Sequence, residues 1–133
     1  MRLWRWISAS LVYAVHDMQI VRHGGLSGLR DKNAVESALG RAQHMATYEE
    51  PAPDAADLAA AYAYGLARNH GFSDGNKRTA WVIARVFLLD NGTHVEFTQV
   101  DAIHMMQGVA GGTIAEQELA QWFRQRVITG TPL

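Results

Sequence analysis

Apolar residues recur at intervals of three and four along most of the chain, and clusters of turn-forming residues interrupt them at regular places. The pattern predicts a short extended start followed by about six helices. Leu11, Val12, Val15, Met18 and Val21 (or Arg22) form one such stripe. Ser8 or Ser10 is placed to cap that first helix, and Gly24-Gly25 to stop it after His23. Asp31 caps a second helix through Ala34, Val35, Ala38 and Leu39 that ends near Tyr48. The prolines of Glu49-Glu50-Pro51-Ala52-Pro53 make a connector, because neither ring fits a helix interior. Asp54 then caps a third helix, residues 55–69, with Asp57 in its first turn. Seven alanines between Ala55 and Ala67 give it a thin surface that neighbours can approach closely, which suits a central place.

The fourth helix is expected from about Asn76 to Asp90, with Asn91-Gly92 as its stop. It is apolar around most of its circumference, at Ala80, Trp81, Ile83, Ala84, Val86, Phe87 and Leu88, and is therefore read as buried. His94-Val95-Glu96-Phe97 alternates, as a strand or short flap does. Thr98 with Asp101, and Thr113 with Glu116, open the last two helices in the manner of capping boxes. Trp122-Phe123 and Met105-Met106 read as core fillers. The fold class expected is all-α in a single domain, 1–133.

Length and composition narrow the function classes. A chain of 133 residues holds one core. With no cysteine it has neither disulfides nor thiolate metal sites. A net charge of −1 provides no global field toward nucleic acid or acidic lipid, so direct nucleic-acid binding and membrane association are not expected. Met1-Arg2-Leu3-Trp4-Arg5-Trp6 superficially has the charged front of a secretion signal. Ser8 and Ser10 break the apolar run behind it, and His16-Asp17 end it, so a cytoplasmic protein is expected. Six histidines include no tight metal-binding pair.

The chemistry concentrates in His70-Gly71-Phe72-Ser73-Asp74-Gly75-Asn76-Lys77-Arg78, which joins the third helix to the fourth. First-turn amides of a helix lack intrahelical partners and carry partial positive charge. Gly75 lets an anion approach them closely. Lys77 and Arg78 oppose the helix dipole at that end, which makes sense when a polyanion occupies the site. Asp74 is a hard oxygen ligand suited to Mg²⁺. His70 suits the role of general base toward a hydroxyl. Phe72 is expected to plug into the core, and Asn76 to hold the loop carbonyls. The glycine-rich Gly24-Gly25-Leu26-Ser27-Gly28 is read as a helix stop and turn, since no Gly-Lys-Ser/Thr follows it. Taken one at a time, these residues are ordinary: a capping histidine, an Asp-Gly turn, a solvated Lys-Arg pair.

The run from His70 to Ala80 resembles the signature of the Fic/Doc (Fido) superfamily, most of all its death-on-curing (Doc) toxin branch. A weaker likeness extends to Gly24-Gly25-Leu26-Ser27-Gly28-Leu29 and Gly40-Arg41-Ala42-Gln43. The resemblance implies a Fido helical fold of about six helices with a short β flap. It implies His70 as catalytic base and Asp74 as the Mg²⁺ ligand. Gly75, Asn76, Lys77 and Arg78 would form a phosphate cradle for ATP, with Arg68 assisting nucleotide or target. AMP-transferring members read H-P-F-x-x-G-N-G-R-x-x-R. Here Gly71, Lys77 and Trp81 stand at the proline, the second glycine and the last arginine. Those exchanges favour Doc-like phosphoryl transfer to a target such as elongation factor Tu, halting translation. Alternatives are Fic-type AMP transfer and a catalytically silent binding module. Many Fic proteins carry an inhibitory [Ser/Thr]-x-x-x-Glu-[Gly/Asn] segment. Within these residues no Ser or Thr stands four places before a glutamate, so the resemblance implies control by a Phd-like antitoxin.

Overall fold

In a computed structural model, residues 3–128 are described, so the opening Met1-Arg2 lies outside the described residues. Six helices follow one another among them: α1 (Ala9–His23), α2 (Lys32–Tyr48), α3 (Ala55–Asn69), α4 (Asn76–Asp90), α5 (Gln99–Gly111) and α6 (Glu116–Gln125). Helix α3 is the hub and packs against α2, α4, α5 and α6. Its alanines 55, 56, 59, 60, 61, 63 and 67 are all buried, together with Leu58, Tyr62 and Leu66. Contact toward α2 is tight: a Cβ added to Gly65 would lie 3.0 Å from Ala38 Cβ.

Capping side chains set most of the helix starts. Ser8 Oγ accepts from Leu11 N, Asp31 Oδ1 from Asn33 N and Ala34 N, and Thr98 Oγ1 from Asp101 N. Asp54 and Asp57 exchange side-chain and backbone bonds at the head of α3, 2.9 and 3.0 Å long. The extended start is pinned at two points, Arg5 and Ile7. Asn91 brackets the backbone of Arg5, and Ile7 N donates to the buried Tyr62 hydroxyl.

Three expectations need correction. The apolar stripe of α1 is turned: Met18 and Val21 face solvent, while Val12, His16 and Gln19 are buried. The physical reason is the neighbour. Part of the buried face of α1 lies on the backbone of the His70–Arg78 loop, which offers a polar acceptor. Helix α6 begins at Glu116, with Ala115 rather than Thr113 as its N-cap. Thr113 belongs to the stop of α5, where its N–H and hydroxyl both bond Gly108 O. Glu116 is taken by Arg41 of α2, and Glu118 reaches back to Ala115 N instead. The expected flap reduces to one isolated antiparallel bridge, Val95 with Val127. Its bonds run from Glu96 N to Arg126 O and from Ile128 N to His94 O.

Candidate active site at the α3–α4 junction

The loop from His70 to Gly75 is held from three sides. Helix α3 ends on His70 in the left-handed region (φ 50°, ψ 50°), which histidine tolerates better than most residues. Gly71 O then accepts from both Arg30 N and Asp31 N, at 2.8 and 2.9 Å. Phe72 turns inward, as expected, and is buried. It pairs with Leu29 in an isolated bridge and lies flat on the His16 ring, centroids 3.8 Å apart and planes 7° apart. Ser73 N donates to Gly28 O. Asn76 closes the turn from below: its Nδ2 donates to Phe72 O at 2.9 Å and its Oδ1 accepts from Phe72 N at 3.1 Å. The Asn76 side chain is thus engaged with the loop, and its backbone opens α4.

Residues 24–31 do more than stop α1. Gly24 caps it through a bond to Ile20 O, while Gly28, Leu29, Arg30 and Asp31 all pair with the motif loop. Gly25 leaves room for a carboxylate, since a Cβ there would fall 2.6 Å from Asp74 Oδ2. Asp74 Oδ1 accepts from Gly75 N at 2.8 Å and Oδ2 from Leu26 N at 3.2 Å. Those two backbone N–H groups, the Gly75 one first, hold its carboxyl below the ordinary range. Asp74 is therefore a firmly ionised carboxylate at the surface.

Gly75 is the N-cap of α4 in the left-handed conformation (φ 77°), and no side chain caps the helix. The helix start is left facing a cavity of about 1040 Å³. His70, Asp74, Gly75, Asn76, Lys77 and Arg78 all line it. The structure thus brings together every residue proposed for the site except Arg68. The Arg68 guanidinium instead donates to Val109 O at the end of α5 and lies over the Tyr64 ring. Trp81 has two faces of contact: it lines the cavity and stacks on Phe123. Among the described residues that line it, Lys77, Arg78 and Arg85 outnumber one carboxylate, Asp74, so the cavity favours anions. No group of three or more His, Asp or Glu is placed to hold a metal among the described residues.

Sequence reasoning missed three residues here. Arg85 lies seven positions after Arg78 on the same face of α4 and sits 5.0 Å from the Phe97 ring centre. That spacing was a readable signal. Gln19 lines the cavity from α1, and His16 lies beneath the loop. Both continue the stripe begun by Val12, but as polar residues they fall outside an apolar count. Arg41, part of the weaker likeness, ties α2 to α6 through Glu116 at 2.6 Å and does not reach this cavity.

Comparison with known proteins places these features in context. Residues 6–88 match the sequence profile of the Fic/DOC family. The chain is 38% identical over 121 residues to "Protein kinase doc" of Escherichia phage P1, covering 91% of this chain and 94% of that one. It is 40% identical over 75 residues to "Toxin Doc" of Mycolicibacterium smegmatis, covering 56% of this chain and 58% of the relative.

Proposed function

The chain belongs to the Fic/DOC family, and on that footing we propose that it is a Doc-type toxin that transfers the γ-phosphoryl group of ATP to a hydroxyl of a target protein. The observation that carries this reading is the convergence of His70, Asp74, Lys77, Arg78 and the uncapped start of α4 on one cavity. In this reading the His70 imidazole accepts the proton of the target hydroxyl. The oxygen forms its bond to the γ-phosphorus as the bridging bond to the β-phosphate breaks, and ADP leaves. Lys77, Arg78 and the first amides of α4 offset the charge on the transferring group and the departing diphosphate.

Mg²⁺ fits the donor set as a shared ion. Asp74 is exposed and ionised, and each of its oxygens accepts only one backbone bond. Mg²⁺ is commonly held by one or two carboxylates together with substrate phosphates, so a lone protein carboxylate suffices. Bound there, the ion would neutralise phosphate charge.

Phosphoryl transfer is favoured over AMP transfer by Lys77 and Trp81. Lys77 brings a cation where AMP-transferring members have glycine, and Trp81 is packed on Phe123 where they have arginine. The target is proposed to be a translation protein such as elongation factor Tu, in the cytoplasm, and the inhibitor a Phd-like antitoxin. No described helix is long and apolar enough to cross a membrane. The wall of the cavity formed by Ile103, Met106 and Ala110 of α5 is apolar, which suits an amphipathic partner segment.

Isotope placement tests the reaction. Label from γ-³²P-ATP is expected to reach the target protein, and label from α-³²P-ATP is not. Transfer from the α position with none from γ would replace the kinase reading with AMP transfer.

A further inference from the structure

His16 is the one histidine that the structure buries, at 2% exposure, and the chemistry proposed above makes no use of it. It stands on α1, far from the motif in sequence. Its ring lies flat on Phe72, and its Nε2 is 2.8 Å from the backbone oxygen of Asp74. A carbonyl oxygen only accepts, so Nε2 carries the hydrogen and the bond has a fixed direction. The other ring nitrogen is 3.9 Å from Asp17 Oδ1, beyond hydrogen-bond reach, so the Asp74 bond is the one that sets the ring's orientation. The ring also passes beneath Gly75: a Cβ added there would touch His16 Cδ2 and Nε2 at 3.6 Å.

We propose that His16 is a positioning residue for phosphoryl transfer, a bolt from α1 that fixes the Asp74–Gly75 peptide and so aims both the Asp74 carboxylate and the first amides of α4. The inference rests on the reading of this cavity as the transfer site. Two contacts converge on the same short stretch of backbone. Phe72 is gripped by the ring face and Asp74 O by the ring N–H, while the ring edge lies about one methyl group's width from Gly75. The loop's own bonds do not replace the N–H bond. Asn76 secures Phe72, and Leu26 secures the Asp74 side chain, but neither reaches Asp74 O.

Two substitutions separate the bond from the packing. His16→Phe keeps an aromatic ring to stack on Phe72 and removes the donor. His16→Gln gives up the ring and keeps an N–H at comparable reach. In the nucleotide-free protein, amide signals of Ser73, Gly75 and Asn76 are expected as single sharp peaks in the wild type and His16→Gln. In His16→Phe they should be broadened or doubled, with the remaining spectrum unchanged. In turnover, His16→Phe should lose roughly 10- to 100-fold in kcat through misplacement of the site, with KM for ATP nearly unchanged. His16→Gln should recover most of that loss. Wild-type loop signals and wild-type kcat in folded His16→Phe would overturn the proposal. So would a His16→Gln variant that is folded and as impaired as His16→Phe. Should His16→Phe fail to fold, His16→Gln decides alone: near-wild-type signals and rate support the bond, and their loss rejects it. A wild-type enzyme without phosphoryl transfer would sink the functional reading, while the amide signals would still decide whether His16 holds the loop.

Discussion

Gly71 shows how one missing Cβ shapes this site. AMP-transferring members of the superfamily have proline at this place, yet here the position is pressed against the start of α2. A Cβ would collide with Val35 Cγ2 and come within 3.4 Å of Asp31 O. Proline would add a second conflict, because it pushes the preceding residue toward extended backbone, whereas His70 is left-handed. We expect Gly71→Ala to destabilise the fold by about 1–3 kcal/mol, the usual cost of overfilling a packed contact. Urea unfolding followed by circular dichroism measures it, and an unchanged midpoint would show that Val35 yields freely. Residue roles that depend on local geometry were legible in the sequence. Phe72 between polar neighbours had to turn inward, and Asn76 beside a tight turn had to bond it. Roles set by distant partners were not legible. Nothing near Arg68 in sequence points to Val109 O, and nothing near His16 points to Asp74 O.

At the scale of elements, helix starts were readable wherever a side chain makes the cap, as with Asp31, Asp54 and Thr98. The start of α6 was not, because Arg41 of another helix claims Glu116, and the capping pattern Thr113–Glu116 loses its acid. Asp54 shows cap and tertiary clamp combined. Besides capping α3, it receives Arg124 of α6 through two bonds of 2.9 and 3.0 Å, and Arg124 also reaches Asp57. Burial pushes the Asp54 carboxyl up, but the Arg124 and Asp57 bonds outweigh it and the net shift is downward. Asp54→Asn keeps the capping ability and removes the charge, so it isolates the clamp. Since the pair is partly exposed, the loss at neutral pH should be no more than about 1 kcal/mol. A folded-state pKa below the unfolded value near 3.9 stabilises above that value. The contribution fades as pH falls through the lower folded value. The stability gap between wild type and Asp54→Asn should therefore stay level from pH 7 to about 5 and close below about 4. A gap that widens on acidification would reverse the sign assigned to the clamp.

The molecule as a whole joins a nearly neutral surface to a locally cationic cavity. Its net charge is −1, yet Lys77, Arg78 and Arg85 line one opening with Asp74 as the only carboxylate among the described residues of its lining. Global charge therefore gave no hint of this cationic opening, whereas the order of residues at one helix junction did. The arrangement of helices was legible for a related reason. An alanine-rich helix has to be the hub, because no other element lets four neighbours approach so closely. Control belongs to this scale too. On the Doc-toxin reading proposed above, restraint in the cell comes from a second chain, and the chain expressed alone should act unchecked. Induction without a partner should halt bacterial growth and protein synthesis within a few generations. His70→Asn is the suitable control, since asparagine accepts the left-handed backbone at residue 70 and cannot serve as the base. The loss of base catalysis, roughly 10²- to 10⁴-fold, should allow growth at the same expression level. Incorporation of labelled amino acid after induction reads both outcomes directly. Unimpeded growth with the soluble wild-type chain, or equal arrest by a folded His70→Asn variant, would reject a toxin that works through His70.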